Sequence, residues 1–157
     1  MKKSQGFTLI EVLITTLFLS VALLSTLGLF AYSLTSAETN RNSTIAQYEV
    51  EGKIEEICAN DYSIIKTTYT NAGAIKNTPF NLINNLTGRG VIIAQELAGA
   101  TNGLLKVKVA VCYGQGQRII GEDTNLNGVL DAGEDLNGNN EIDSPYAIER
   151  VIVNKEL

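Results

Sequence analysis

The sequence predicts an α+β fold in which one long N-terminal helix packs on a C-terminal antiparallel β-sheet. Three observations predict it. An almost wholly apolar run extends over residues 6–34. Amphipathic helical spacing then continues the helix to residue 60. Residues 104–113 alternate between apolar and other side chains with the period of a β-strand.

The apolar run is long enough to cross a lipid bilayer. A helix over residues 7–34 is about 42 Å long at ~1.5 Å per residue, and a hydrocarbon core is ~30 Å thick. Lys2 and Lys3 precede it, so the positive-inside rule places the N-terminus in the cytoplasm and residues 35–157 outside it. A secretory signal peptide has a shorter apolar region and a small-residue cleavage site, which is not found after this run.

An ordinary membrane anchor explains the length and the lysines but not Glu11. An acid at the centre of a membrane helix costs about 2.5–3.5 kcal/mol on insertion scales and usually has a function. Gly28 is a second unusual residue, because glycine costs about 1 kcal/mol inside a helix. The sequence leaves open whether Gly28 loosens the helix or is merely tolerated.

The segment GFTLIEV, residues 6–12, resembles the processing motif of type IV prepilins and type II secretion pseudopilins. The resemblance implies a pilin-like fold and a leader, residues 1–6, that a prepilin peptidase removes after Gly6. It implies that the new N-terminal residue, Phe7, is methylated. It also implies that Glu11 pairs with the N-terminal amine of a neighbouring subunit at an inner-membrane assembly platform.

The physics of the helix agrees with that role for Glu11. Phe7 and Glu11 are one helical turn apart and lie on a similar face. A neighbouring subunit shifted along the filament axis could therefore place its amine beside Glu11. Such pairing would remove the cost of an isolated buried charge.

The remaining elements follow in chain order. The helix after residue 36 has apolar positions at helical spacing, namely Ala46, Val50, Ile54, Ile57 and Cys58. Residues 61–69 form either a short second helix or an irregular connection. Residues 71–77 and 84–90 have the composition of loops. We expect strands opening at Pro79 and over residues 91–97, 104–113, 118–120 and 146–153, with turns over residues 98–103 and 114–116.

Cys58 and Cys112 are the two cysteines. Outside the cytoplasm such a pair indicates a disulfide, which would close a loop of about 50 residues and contribute roughly 4 kcal/mol. The alternative is two buried thiols that pack as small apolar groups. Cys112 falls on the Lys106 and Lys108 side of the strand alternation, which counts against burial and pairing.

A stretch rich in Asp, Asn, Glu and Gly, residues 122–143, is called here the acidic segment. Its first loop, residues 123–134, fits the calcium-loop pattern D-x-[DN]-x-[DN]-G-x5-E at every constrained position. The alternative is a solvated acidic loop. The pattern predicts a Ca²⁺ site with ligands from Asp123, Asn125, Asn127, Val129 (by its carbonyl), Asp131 and Glu134.

A second loop, residues 135–146, begins another copy of this pattern. Asp135, Asn137, Asn139 and Asp143 occupy ligand positions. The copy is incomplete, because Asn140 stands where glycine is expected and Tyr146 stands where the closing glutamate would be. The sequence leaves open whether this loop binds a second ion or only supports the first loop.

Composition argues against catalysis and against nucleic acid as a partner. The net charge is −5, no basic run occurs, and histidine, the commonest general base, is absent. No P-loop, G-x-S-x-G or dinucleotide fingerprint is present. We therefore expect a structural protein and not an enzyme.

The resemblance implies a subunit that is a single-pass inner-membrane protein with an extracytoplasmic head before it joins a pilus or pseudopilus. Its partners are then other pilin or pseudopilin subunits and membrane lipid. Residues 44–57 resemble the second half of the long helix in minor pilins and minor pseudopilins, which favours that branch. The alternative is a calcium-dependent adhesive or ligand-binding head displayed on such a filament.

Overall fold

A computed structural model describes residues 8–71, 75–97 and 103–154, and it confirms the predicted α+β architecture. Within these residues the chain forms two helices and five strands. The helices are α1, Leu9–Cys58, and α2, Tyr62–Tyr69. The strands are β1, Lys76–Asn81; β2, Gly88–Leu97; β3, Leu104–Gln115; β4, Arg118–Ile120; and β5, Ala147–Val153.

The chain divides into two compact units, one ending at Asn40 and one beginning at Arg41. In the first unit, α1 is long and apolar enough to cross a membrane, judged by length and composition. Residues 8–35 are all exposed. The helix continues through Gly28 without a break, so this glycine is tolerated there.

The second unit is organised around β3. The sheet order is β1-β2-β3-β4, with antiparallel neighbours, and β5 also pairs with β3 in the antiparallel sense. One edge of β3 pairs with β2, and the other pairs with β5 and then β4. The acidic segment connects β4 to β5, so it leaves and returns to the same edge of β3.

From Arg41 onward, α1 packs on one face of this sheet. The predicted helix positions Ala46, Val50, Ile54 and Ile57 are buried, whereas Cys58 is partly buried. Their partners include the alternate residues of β3 that the strand pattern predicts, which are Leu105, Val107, Val109, Val111 and Tyr113. This contact forms the main hydrophobic core.

A buried carboxylate also joins α1 to the sheet. Glu49 Oε1 accepts hydrogen bonds from the main-chain N–H groups of Ile83, at 3.0 Å, and Asn84, at 3.1 Å. The side-chain amide of Asn84 donates to the same oxygen at 2.7 Å. Glu49 thereby fixes the β1–β2 connection against the helix.

Several boundaries differ from the sequence prediction. β1 and β2 begin within the predicted loops 71–77 and 84–90, whereas residues 61–69 contain the short second helix that was one of the two predicted alternatives. Gly90 is predicted to lie in a loop but belongs to β2. A Cβ atom there would lie 2.1 Å from the Phe80 ring, so this glycine makes room for the ring and does not form a turn. The later turn lies at residues 116–117, where Gly116 has φ +62°. Of the predicted turn 98–103, residues 98–102 lie outside the described residues.

The predicted disulfide is wrong, because Cys58 and Cys112 are both free. Cys58, the last residue of α1, packs against the main core. Cys112 belongs to a second cluster with Val91 and Ile93, on the other face of the sheet. The strand alternation assigned Cys112 to the correct face, but that face is covered and the thiol is fully buried.

Candidate metal centre and membrane helix

The first loop is built around Asp123, which is completely buried. Its Oδ1 accepts a hydrogen bond from the main-chain N–H of Asn127 at 3.1 Å, and its Oδ2 accepts one from that of Gly128 at 2.8 Å. Gly128 has φ +78°, and a Cβ there would lie 2.5 Å from Pro79 Cβ. Both conditions require glycine, as the pattern predicts.

Three predicted ligand side chains of this loop converge. Asp131 Oδ2 accepts hydrogen bonds from the amide nitrogens of Asn125, at 2.7 Å, and Asn127, at 2.8 Å. These two hydrogen bonds lower the pKa of Asp131 below its ordinary value of 3.8, and the one from Asn125 has the larger effect. Val129, whose carbonyl is the predicted ligand, donates its own N–H to Asn127 Oδ1 at 2.6 Å.

Glu134 closes the first loop. Its Oε1 accepts from the N–H of Thr124 at 2.8 Å and from the Thr124 hydroxyl at 2.7 Å. Its Oε2 accepts from the N–H of Asp131 at 3.0 Å. Burial alone would raise the pKa of Glu134, but these hydrogen bonds outweigh it and hold the pKa below its ordinary value.

The second loop repeats this geometry twelve residues later. Asp135 accepts from the N–H groups of Asn139 and Asn140, each at 3.0 Å. Asp143 Oδ2 accepts from the side-chain amides of Asn137, at 2.6 Å, and Asn139, at 2.8 Å. Asn140 has φ +60° and takes the glycine position, which asparagine tolerates better than most residues. The side chains of Asp135, Asn137, Asn139 and Asp143 therefore make the same contacts as their counterparts in the first loop.

The closing carboxylate of the second loop comes from Glu122, which sequence reasoning missed. Glu122 Oε1 accepts from the N–H of Leu136 at 3.3 Å, and its Oε2 accepts from that of Asp143 at 3.0 Å. Leu136 and Asp143 correspond to Thr124 and Asp131 of the first loop, whose N–H groups donate to Glu134. Tyr146, at the expected glutamate position, instead places its ring 5.7 Å from that of Tyr113. The signal in the sequence is the twelve-residue spacing between Glu122 and Glu134.

Two lysines of β3 bind the second loop. Lys108 donates to Glu141 Oε2 at 2.9 Å and also to Asp143 Oδ1. Lys106 donates to Glu141 Oε1 at 2.5 Å. Burial raises the pKa of Glu141 and of Asp143, yet the lysine contacts outweigh burial and lower both. Burial lowers the pKa of Lys108, but the hydrogen bonds that it donates to Asp143 and Glu141 outweigh burial and raise the pKa overall.

The donor set is rich in amide and main-chain oxygens. Among residues 8–71, 75–97 and 103–154, no group of three or more His, Cys, Asp or Glu side chains is placed to hold a metal ion. The predicted ligands instead combine carboxylates with asparagine side chains and, in the first loop, the carbonyl of Val129. Hard cations such as Ca²⁺ favour such all-oxygen sets, whereas transition metals favour nitrogen and sulfur.

At the other end of the chain, Glu11 lies in the first turn of α1 and is exposed. Its N–H is 3.1 Å from the carbonyl oxygen of Thr8. Gly6 and Phe7, the predicted processing residues, lie outside the described residues. The exposed apolar side chains that follow Glu11 leave this carboxylate as an isolated acid in an apolar surface.

Comparison with known proteins bears on this N-terminal part. Residues 1–32 match the family described as Prokaryotic N-terminal methylation motif. No curated protein and no solved structure matches the chain. The motif and the apolar helix support a type IV pilin-like or pseudopilin subunit that is anchored in a membrane before it assembles. The motif also implies processing by a prepilin peptidase and assembly with other pilin subunits.

Proposed function

We propose that this chain is a minor pilin or minor pseudopilin of a type IV pilus or type II secretion filament, with a structural and not a catalytic role. The exposed apolar part of α1, headed by the methylation motif and holding Glu11, carries the proposal. An apolar surface of this length needs either lipid or the packed helices of other subunits around it. Lys2 and Lys3 favour an inner-membrane orientation with the head outside the cytoplasm.

Processing at Gly6 tests this proposal. Gly6→Leu is expected to block removal of the leader, so the protein retains Met1 and stays in the membrane fraction. Gly28→Leu is the matched control, because Gly28 lies in the same apolar helix with no neighbouring atom within 4 Å. Intact mass spectrometry of both variants shows which of them retains the leader. Removal of the leader from Gly6→Leu at the normal rate would contradict processing at this position.

We further propose that the first loop binds Ca²⁺. Asp123, Asp131 and Glu134 supply carboxylates, Asn125 and Asn127 supply amide oxygens, and Val129 supplies a carbonyl. Calcium takes six to eight oxygens at ~2.3–2.6 Å, and this set reaches that number when Glu134 binds through both oxygens. The amides of Asn125 and Asn127 already converge on Asp131. For an amide oxygen to reach the same centre, its amide must turn and release the main-chain N–H that it now accepts, that of Asn127 for Asn125 and that of Val129 for Asn127.

The repeated hydrogen-bond pattern supports a second ion in the second loop, with Glu122 as the closing ligand. Asp143 already shares its charge with Lys108, so we expect this site to bind more weakly than the first.

Glu122→Gln is therefore expected to remove one equivalent of bound calcium and to leave the other. Isothermal titration calorimetry of the full-length protein in detergent measures the stoichiometry. Glu55→Gln, at an exposed position of α1, is the control for loss of one charge. Unchanged stoichiometry in Glu122→Gln would show that the second loop binds no ion through this residue.

A further inference from the structure

The sheet has a second buried face, and the acidic segment covers it. Val91, Ile93 and Cys112 on this face are each 0% exposed. Ile142 of the acidic segment is also fully buried among them, and Leu126 and Leu130 pack against the same cluster. In the described part of the chain, Ile75 is the other apolar residue at the edge of this cluster. The cover therefore comes mainly from three apolar residues set in an otherwise polar segment.

The two calcium-type loops contribute equivalent anchors to this cover. Leu130 is the eighth residue of the first loop, and Ile142 is the eighth residue of the second. Each anchor lies beside an aspartate, Asp131 or Asp143, that receives two asparagine amides. Packing of the cover is thus tied directly to the geometry of the ligand positions.

Polar contacts hold the base of the acidic segment closed. The N–H of Glu122 donates to the carbonyl of Asp143 at 2.8 Å, which joins the two ends of the segment. The hydroxyl of Ser144 donates to the carbonyl of Val111 at 2.6 Å. Lys106 and Lys108 then bind the second loop, whereas no ion pair between described residues involves the first loop.

The closed arrangement concentrates negative charge. The acidic segment contains seven carboxylates and no lysine or arginine, and the two lysines of β3 offset only part of that charge. Main-chain N–H groups satisfy carboxylates such as Asp123 and Glu134 one by one, but they do not neutralise the segment. A cation that binds only the closed arrangement would stabilise it over an open one.

We propose that the acidic segment is a calcium-locked lid over the second face of the sheet. Binding of cations to its loops holds Leu130 and Ile142 down, and removal of the cations lets the lid lift and exposes Val91, Ile93 and Cys112. This inference rests on the calcium binding proposed above. It adds that the ions control access to an apolar face of the head.

Cys112 reports directly on the lid. Its Sγ lies 3.9 Å from the carbonyl oxygen of Asp143, and a Cβ on Gly121 would lie 2.3 Å from it. In the closed state the thiol is fully buried, so thiol reagents reach it slowly.

The test uses the full-length Cys58→Ser protein in detergent, in which Cys112 is the remaining cysteine. Reaction with Ellman's reagent is expected to be about tenfold or more faster in chelator than in millimolar calcium, because local opening becomes more frequent. Adding Glu134→Ala should give fast labelling in both solutions. Adding Glu55→Ala, a control at an exposed position of α1, should leave the calcium dependence unchanged.

Hydrogen exchange distinguishes lid opening from general unfolding. In chelator, amides of residues 122–143 should exchange faster while those of residues 104–115 stay protected. Equal loss of protection in both regions would overturn the lid. Calcium binding by calorimetry with equal labelling rates in calcium and chelator would also overturn the lid but leave the proposed calcium site standing. Absence of calcium binding would overturn both.

Discussion

Glu11→Ala is expected to leave membrane insertion intact and to remove most of the protein from filaments. The substitution deletes an acid from an apolar helix, so insertion of the single subunit becomes easier, if it changes at all. In the filament, the methylated amine of a neighbouring Phe7 would lose its carboxylate partner. Leaving one member of a buried ion pair alone costs about 3–5 kcal/mol, enough to reduce incorporation a hundredfold or more.

The measurement compares the variant in sheared filament and membrane fractions by quantitative immunoblotting. Glu38→Ala is the matched control, because Glu38 is an exposed acid of α1 that follows the apolar run. It should assemble like the unmodified protein. Wild-type incorporation of Glu11→Ala would show that this carboxylate has no part in assembly.

Calcium is expected to raise the melting temperature of the head by several degrees. A ligand that binds only the folded state stabilises it by RT ln(1 + [L]/Kd), about 2.7 kcal/mol at a hundredfold excess over Kd. For a domain of this size, 1 kcal/mol shifts the melting temperature by roughly 2–8 °C. The gain comes from ligand contacts that Asp123, Asp131 and Glu134 would make with the ion in the folded state only.

Circular dichroism of the full-length protein in detergent measures this shift between chelator and millimolar calcium, and the sheet signal reports on the head. Glu134→Ala should abolish most of it, since Glu134 closes the first loop. Glu55→Ala should retain the full shift. Equal melting temperatures in both solutions, with no heat of binding, would reduce the acidic segment to a structural loop.

The sequence predicted the helix and the central strand well, because their patterns are local. The spacing of Ala46, Val50 and Ile54 indicates the buried helix face, and the alternation of β3 indicates which residues face it. Strand boundaries were less predictable where glycine serves packing. Gly90 reads as a loop residue in isolation, and the proximity of the Phe80 ring explains why it lies in a strand.

The acidic segment shows where local patterns stop being informative. The pattern predicts candidate ligands for the first loop because all of them lie within twelve consecutive residues. It missed Glu122, because this residue lies thirteen positions before the start of the loop that it closes. The calcium-loop pattern includes only residues that follow its first aspartate. It also missed the cover of the second sheet face, since Leu126, Leu130 and Ile142 do not follow the period of a helix or a strand. Their burial depends on the sheet to which they return.

The disulfide prediction failed for a related reason. Two cysteines in an extracytoplasmic chain indicate a bond only when the fold brings their sulfurs together. The position of Cys112 on the lysine side of β3 already placed it on the opposite face of the sheet from Cys58, at the end of α1. The strand alternation was more informative than the compartment. Alternation fixes the face of the sheet on which a cysteine lies, whereas an oxidising compartment only allows a disulfide to form.

The mature N-terminus tests the central claim most directly. Intact and N-terminal peptide mass spectrometry of the protein isolated from its native membrane would identify the first residue and its modification. The chain is expected to begin at Phe7 and to carry a methyl group on its amine. A chain that still begins at Met1, or one cleaved after the apolar run, would contradict the assignment as a filament subunit.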